Sequence, residues 1–124
     1  MPSLSLRINL DPEGRIGPGK IELLEKIAAF GSISAAGRAM DMSYRRAWQL
    51  VEDINNLFGK QVVERTTGGR NGGGAQLTAL GLALVARYRA VEQAAEQAAR
   101  GHLAALQVEI ERADNKAGAA ASAL

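Results

Sequence analysis

The chain opens with a strict alternation of apolar and polar side chains. Residues 4–10 place leucine or isoleucine at every even position and a polar residue at every odd one, which is the pattern of a half-buried strand. The next four residues, DPEG, favour a turn, and residues 15 and 16 offer a short return strand. We therefore predict an N-terminal strand or hairpin over residues 1–19.

Two helical segments follow this hairpin. Residues 20–30 carry isoleucine and leucine on one helical face, and Gly31 ends the helix. Ser32 and Ser34 are both suitable N-cap residues for a short helix over residues 33–40, whose alanines let another helix approach closely.

An amphipathic helix comes next, after a break at Asp41 and Met42. Ser43 is its predicted N-cap, and apolar residues recur along residues 44–58 at intervals of three and four. A short helix followed by a capped helix with polar and basic first turns is what reading of the DNA major groove requires. The sequence thus predicts a helix-turn-helix within residues 20–78.

The polar side of the second helix supplies the predicted recognition residues, which are Ser43, Tyr44, Arg45, Arg46 and Gln49. Arg45 and Gln49 are expected to read bases, because Arg can donate two hydrogen bonds to guanine and Gln can pair with adenine. Arg46 is expected to contact phosphate. Serine hydroxyls at helix starts also suit phosphates, so Ser32 and Ser34 are the predicted DNA contacts of the first helix.

A glycine-rich loop lies between two short apolar segments downstream. Residues 61–65 indicate a strand, residues 75–77 indicate its partner, and the loop TTGGRNGGG between them contains five glycines around Arg70 and Asn71. Such a loop suits a wing whose backbone lies close to a sugar-phosphate chain. A plain surface loop is the alternative.

The last segment reads as one long helix from residue 79 to about Arg112, with Thr78 as its cap and Gly101 as an interruption. Its apolar stripe is predicted to form a dimerisation surface and consists of Leu80, Leu84, Tyr88 and Val91. Residues 113–124 are rich in small residues and are predicted to form a flexible tail.

Composition bounds the possible functions. The 124 residues are 47% hydrophobic and 23% charged, which suits one globular domain with a mainly α fold and a small β content. The net charge of +2 is a weak argument for nucleic acid by itself. Cysteine is absent and His102 is the only histidine, so we expect no disulfide, no metal site and no cofactor. Without a long apolar run, a cytoplasmic protein with no membrane association is expected.

Residues 14–20, GRIGPGK, match the phosphate-binding loop of nucleotide-binding enzymes, G-x-x-x-x-G-K. Ile21 occupies the position where that loop needs a serine or threonine for magnesium, and no set of strands is available for a parallel sheet. We therefore predict a protein that is not an enzyme. A dimeric interaction protein, or a nucleoid-type DNA-binding protein without a specific operator, remains an alternative.

Two stretches, GSISAAGRAMDMSYRRAWQLVEDINNL and VVERTTGGRNGGGAQLTALG, closely resemble the N-terminal domain of the ModE family of molybdate-responsive transcriptional regulators. The segment SISAAGRAMDMSYRRAWQLVEDI also resembles the helix-turn-helix of LysR-type regulators, and the glycine-rich wing favours ModE. The resemblance covers roughly residues 4–105 and is most specific at residues 64–78.

This resemblance implies a winged-helix homodimer that binds double-stranded DNA at a palindromic operator and regulates molybdate-related genes. It places residues 43–49 in the major groove, and it assigns to the wing Arg65, Thr66, Thr67, Arg70 and Asn71. Full-length members also carry oxyanion-binding domains, whereas nothing in this sequence indicates a molybdate site. We expect the DNA-reading half of such a regulator, without molybdate binding.

Overall fold

A computed structural model of the chain describes residues 1–66 and 73–122. They divide into two compact units, residues 5–89 on the one hand and residues 1–4 with those from Ala90 onward on the other. The elements in chain order are β1 (Ile8–Leu10), β2 (Gly14–Ile16), α1 (Pro18–Phe30), α2 (Ile33–Ala39), α3 (Tyr44–Phe58), β3 (Val63–Thr66), β4 (Gly74–Leu77) and α4 (Ala79–Ser122). This mainly helical order with a small hairpin beyond α3 confirms the predicted winged helix-turn-helix class.

The first hairpin is shorter than the alternation suggested. β1 pairs antiparallel with β2, with Ile8 opposite Ile16, and does not extend back to Leu4. Its partner strand has only three residues because Pro18 begins α1 directly behind it. The carbonyl of Leu6 instead accepts a hydrogen bond of 2.6 Å from the hydroxyl of Tyr88.

Helix α1 starts two residues earlier than predicted, because Pro18 takes the first helical position, where its missing amide hydrogen costs nothing. Gly31 ends the helix as predicted. Its φ of 73° is left-handed, and its amide donates to the carbonyl of Ile27 at 2.8 Å.

Two serine caps set the starts of α2 and α3, and one turn links the two helices. The amide of Ala35 donates to the Oγ of Ser32 at 3.0 Å, and the amide of Arg46 donates to the Oγ of Ser43 at 3.1 Å. Asp41 makes the turn with a φ of 55°. Ser34, the second predicted cap, lies inside α2, so Ser32 alone caps that helix.

The core of this unit joins all the elements of the helix-turn-helix. Its larger cluster consists of Leu23, Leu24, Ile27, Ile33, Ala36, Ala47, Val51, Ile54, Val62, Val63 and Ala75. A smaller cluster is formed by Ile16, Ile21 and Tyr88. The second hairpin belongs to this core as well, with Val63 of β3 opposite Leu77 of β4.

The predicted dimerisation stripe requires a correction. Leu80 and Leu84 pack against the larger core cluster of their own chain, and only 2% of Tyr88 is exposed. Of the four predicted residues, Val91 alone is exposed, at 46%. Helical periodicity identifies an apolar face but does not say whether its own chain or a second copy covers it.

Helix α4 is also longer than predicted. It runs without a break through Gly101 and continues to Ser122, so residues 113–122 are helical rather than an irregular tail. Alanine dominates this stretch and has the highest helix propensity, whereas each glycine costs only about 1 kcal/mol. Thr78 caps α4 as predicted, since its Oγ1 accepts from the amide of Gly81 at 3.1 Å.

Candidate nucleic-acid interface

The first two turns of α3 present the five predicted recognition side chains to solvent. Ser43 caps the helix, so Tyr44 is its first residue and Gln49 its sixth. All five side chains are exposed, with half of Tyr44 accessible. The guanidinium groups of Arg45 and Arg46 form no hydrogen bond or ion pair with any residue that the structure describes. Two cationic groups are therefore available to an anionic or hydrogen-bonding partner.

The base of the second hairpin is tied to the start of α3. Arg65 of β3 donates a hydrogen bond from Nη2 to the hydroxyl of Tyr44 at 3.3 Å, although 21 positions separate them in the sequence. The amide of Ala75 in β4 donates to the carbonyl of Gly31 at 2.8 Å and holds the other strand against the end of α1. These two contacts fix the hairpin beside the recognition residues.

Several predicted contact residues share one shallow cleft. Its lining consists of Ser32, Ile33, Ser34, Tyr44, Arg65, Gly73, Gly74 and Ala75. The cleft thus combines three hydroxyl groups with one guanidinium, and phosphate oxygens accept hydrogen bonds from both kinds of donor. The structure brings the predicted contacts of α2, α3 and β3 together here, which the sequence assigned separately.

Gln49 has an intrahelical partner that the sequence reading missed. Its Nε2 donates to Oδ1 of Asp53 at 2.9 Å, one helical turn further along α3. The spacing of four residues was visible in the sequence, but a Gln–Asp pair is one of several possible pairs on that face.

The described residues include only the base of the predicted wing. Arg65 and Thr66 lie at the end of β3 and are exposed, with Thr66 opposite Gly74. Thr67, Arg70 and Asn71 lie outside the described residues. Their assignment to DNA contacts stays a prediction.

The nucleotide-binding alternative finds no support in residues 14–20. The strands described form two antiparallel pairs, so the parallel sheet that such a loop requires is not among them. The Nζ of Lys20 donates to the carbonyl of Arg15 at 3.1 Å, within the motif itself. Within residues 1–66 and 73–122, no three His, Asp or Glu side chains are grouped to hold a metal ion, and no helix is apolar enough over sufficient length to cross a membrane.

A protein-family model described as bacterial regulatory helix-turn-helix protein, lysR family, matches residues 19–82. These residues include all the elements that form the interface, from α1 to the first turn of α4.

Curated relatives match the same part of the chain. The molybdenum-pterin-binding protein MopA of Rhodobacter capsulatus is 44% identical over 84 residues, which cover 68% of this chain and 32% of MopA. The molybdenum transport protein ModE of Azotobacter vinelandii is 42% identical over 88 residues, covering 69% and 33%. The DNA-binding transcriptional dual regulator ModE of Escherichia coli strain K12 is 41% identical over 81 residues, covering 65% and 31%. The chain spans about a third of the length of these relatives.

Solved structures share the fold. The CbnR DNA-binding domain, crystallised in complex with DNA, superposes with a TM-score of 0.55 at 24% identity and covers 70% of this chain and 95% of that domain. Full-length CbnR in complex with its target DNA superposes with a TM-score of 0.53 at 21% identity, covering 68% of this chain and 28% of CbnR.

Proposed function

Because the chain belongs to the LysR-type family of bacterial regulatory helix-turn-helix proteins, we propose that it is a transcriptional regulator that binds double-stranded DNA at specific sequences. The observation that carries this proposal is the exposed, serine-capped start of α3, with two arginines that have no described partner. A protein with this function acts in the cytoplasm, where bacterial DNA lies.

Helix α3 enters the major groove with its N-terminal turns foremost. Arg45 donates two hydrogen bonds to the O6 and N7 atoms of guanine, and Arg46 pairs with a phosphate. The amides at the start of α3 also face the DNA backbone, where the helix dipole favours a phosphate.

The cleft between α2, α3 and β3 holds a second phosphate. The hydroxyls of Ser32, Ser34 and Tyr44 and the guanidinium of Arg65 line it, and a single phosphate can accept from several of them. Thr66 is the last residue of β3, and the wing that follows it contacts the neighbouring stretch of the DNA sugar-phosphate backbone.

The regulator acts as a homodimer that pairs through the second half of α4. Among the described side chains, every buried one lies between residues 5 and 89. Beyond that range α4 exposes Leu106 to 64% and Ile110 to 57%, one helical turn apart. A second copy that covers this face removes apolar area from water and places two α3 helices on half-sites about 34 Å apart, or a multiple of that distance.

The genes it regulates are concerned with molybdenum. This part of the proposal rests on the names of the relatives, which include a molybdenum transport protein and molybdenum-pterin-binding proteins. This chain matches about one third of the length of each of these relatives.

The test is selection of bound duplexes from a random pool by the full 124-residue chain, followed by affinity measurements at several salt concentrations. We expect an enriched palindromic motif, and a slope of log affinity against log salt of about −0.9 for each phosphate neutralised. Arg45→Ala should lower affinity for the selected duplex about tenfold or more.

Arg100→Ala is the matched control, because Arg100 is an exposed arginine of α4 outside the interface. It removes the same charge and should bind as the wild type does. Equal affinity for selected and random duplexes would contradict a specific operator and favour the nucleoid-type alternative. Gel shifts with and without molybdate on the selected duplex then show whether molybdate acts on this chain.

A further inference from the structure

The contact between Gln49 and Asp53 determines which atom of the Gln49 amide is directed away from Asp53 and is available to a bound molecule. Nε2 of Gln49 lies 2.9 Å from Oδ1 of Asp53. An ionised carboxylate accepts hydrogen bonds and cannot donate them, so the nitrogen of the amide has to face Asp53. The oxygen Oε1 then points away from Asp53.

The position of this pair matters because Gln49 is the sixth residue of α3 and its side chain is exposed. Asp53 lies four residues further along and on the same helical face. Its side chain is half-buried, which limits the positions that the carboxylate can take.

We infer that Asp53 is a positioning residue that makes Gln49 present its carbonyl oxygen to the DNA, so that Gln49 selects a base with an exocyclic amino group. This inference rests on the proposed function. In the major groove only adenine, through N6, and cytosine, through N4, offer such a donor. Guanine offers N7 and O6, and thymine offers O4, all of which are acceptors. Neither base can donate to Oε1, so each can pair with Gln49 only through the second hydrogen of Nε2.

Adenine is the better of the two partners. The amide nitrogen of Gln49 carries two hydrogens, and Asp53 accepts one of them. The second hydrogen can donate to N7 of adenine, while cytosine has no acceptor at the equivalent place. The expected order of preference at this position is adenine, then cytosine, then guanine and thymine.

Asp53 is expected to lower the overall affinity for DNA while it raises the discrimination between bases. A carboxylate near the DNA backbone repels phosphates, so its removal should strengthen binding to every sequence while it weakens the distinction between bases. This separates the proposed role from a merely structural one, because the measured quantity is a ratio of affinities.

The experiment compares base preferences in duplexes selected by the full chain and by four variants. Gln49→Ala identifies the operator position that Gln49 contacts. Asp53→Asn keeps the size of the side chain but can accept or donate, so it permits both orientations of the Gln49 amide. Asp53→Glu keeps a carboxylate and should retain the wild-type base preference.

Glu52→Gln is the matched control for charge. It removes one negative charge from the adjacent residue of α3, and Glu52 has no hydrogen bond to Gln49 in the structure. Thermal unfolding of each variant checks that the fold is retained.

We expect the wild type to favour adenine or cytosine over guanine and thymine by about tenfold or more at the position that Gln49→Ala identifies. Asp53→Asn should reduce this ratio to less than about threefold, whereas Glu52→Gln and Asp53→Glu should leave it unchanged. Asp53→Asn and Glu52→Gln should both raise the affinity for unselected duplexes.

Four results would overturn the inference while leaving the proposed function intact. Three are a wild-type preference for guanine or thymine at that position, no position that responds to Gln49→Ala, and an undiminished ratio in Asp53→Asn. The fourth is an equal loss in Glu52→Gln, because charge alone would then explain the effect. Failure of the wild type to select any motif would instead contradict the proposed function.

Discussion

The Nη2 atom of Arg65 donates a hydrogen bond to the hydroxyl of Tyr44, with 3.3 Å between the two atoms. Tyr44 is the first residue of α3 and Arg65 the third residue of β3, so the contact joins the recognition helix to the base of the wing. Both side chains are exposed. The contact therefore adds little to the stability of the fold, and its effect is on the arrangement of DNA-contacting groups.

Tyr44→Phe removes the hydroxyl that accepts from Arg65 and that is proposed to donate to a phosphate. The affinity for the selected duplex should fall about fivefold, because a charge-assisted hydrogen bond to that phosphate is lost. The free energy of unfolding should change by less than about 0.5 kcal/mol, as for other exposed positions. Binding by fluorescence anisotropy and unfolding by urea measure the two effects.

Tyr88→Phe is the contrasting variant. The hydroxyl of Tyr88 donates to the carbonyl of Leu6 at 2.6 Å, and the ring is buried. Its removal should lower the free energy of unfolding by about 1 kcal/mol and leave DNA affinity as in the wild type. If Tyr44→Phe behaved like Tyr88→Phe, the Tyr44 hydroxyl would be structural rather than part of the interface.

The two serines at the start of α2 should differ in stability. Ser32→Ala removes the acceptor for the amide of Ala35 and should lower the free energy of unfolding by about 1 kcal/mol. Ser34→Ala should cost less than about 0.5 kcal/mol, because its Oγ only accepts from the exposed Arg38 at 3.4 Å. Urea unfolding compares them, and equal losses would contradict Ser32 as the single cap.

Local chemistry explains why much of this fold could be predicted from the sequence. The caps at Ser32, Ser43 and Thr78 and the left-handed C-cap at Gly31 depend on neighbours within four residues. The period of the apolar residues in α3 is equally local, so both of its ends were predicted correctly.

Contacts between residues that are far apart in the sequence could not be predicted from local sequence patterns. The sequence shows that Tyr44 and Arg65 are polar but not that they meet, because their contact depends on how β3 packs beside α3. Likewise, the stripe of Leu80, Leu84 and Tyr88 has the same period whether it faces its own core or a second copy. The continuation of α4 was missed since small residues and glycine resemble a linker, although alanine favours helix.

Gly81 and Gly101 are both within α4 and should respond oppositely to alanine. A Cβ at Gly81 would clash with the backbone carbonyl of Val62, which also accepts from the amide of Thr78 at 2.9 Å and cannot easily move. Gly81→Ala should therefore lower the free energy of unfolding by about 2 kcal/mol despite the better helix propensity of alanine.

Gly101→Ala places its methyl group where no heavy atom lies within 4 Å. It should cause no loss and should increase helix content, with a gain of up to about 1 kcal/mol in helix stability. Urea unfolding and circular dichroism, at one protein concentration throughout, measure both variants. A destabilised Gly101→Ala chain would show that α4 is closely packed at this position.

The exposed apolar face of α4 leads to a prediction about assembly. Leu106 and Ile110 lie four residues apart and hence on one face, whereas Val108, with 41% exposed, lies two residues from each and on the opposite side. If a second copy covers the Leu106 face, a double substitution, Leu106→Glu with Ile110→Glu, places two charges in an apolar interface. Light scattering should then report the 13.1 kDa monomer. The selected two-half-site duplex should be bound at least tenfold more weakly, because each subunit must bind alone.

Val108→Glu is the control, because it adds a carboxylate to the other face of α4. This variant should remain dimeric and keep its affinity for that duplex. A dimer that withstands the double substitution but dissociates with Val108→Glu would place the contact on the opposite face of α4, and a wild type that is monomeric at micromolar concentration would remove the dimer from the proposed function altogether.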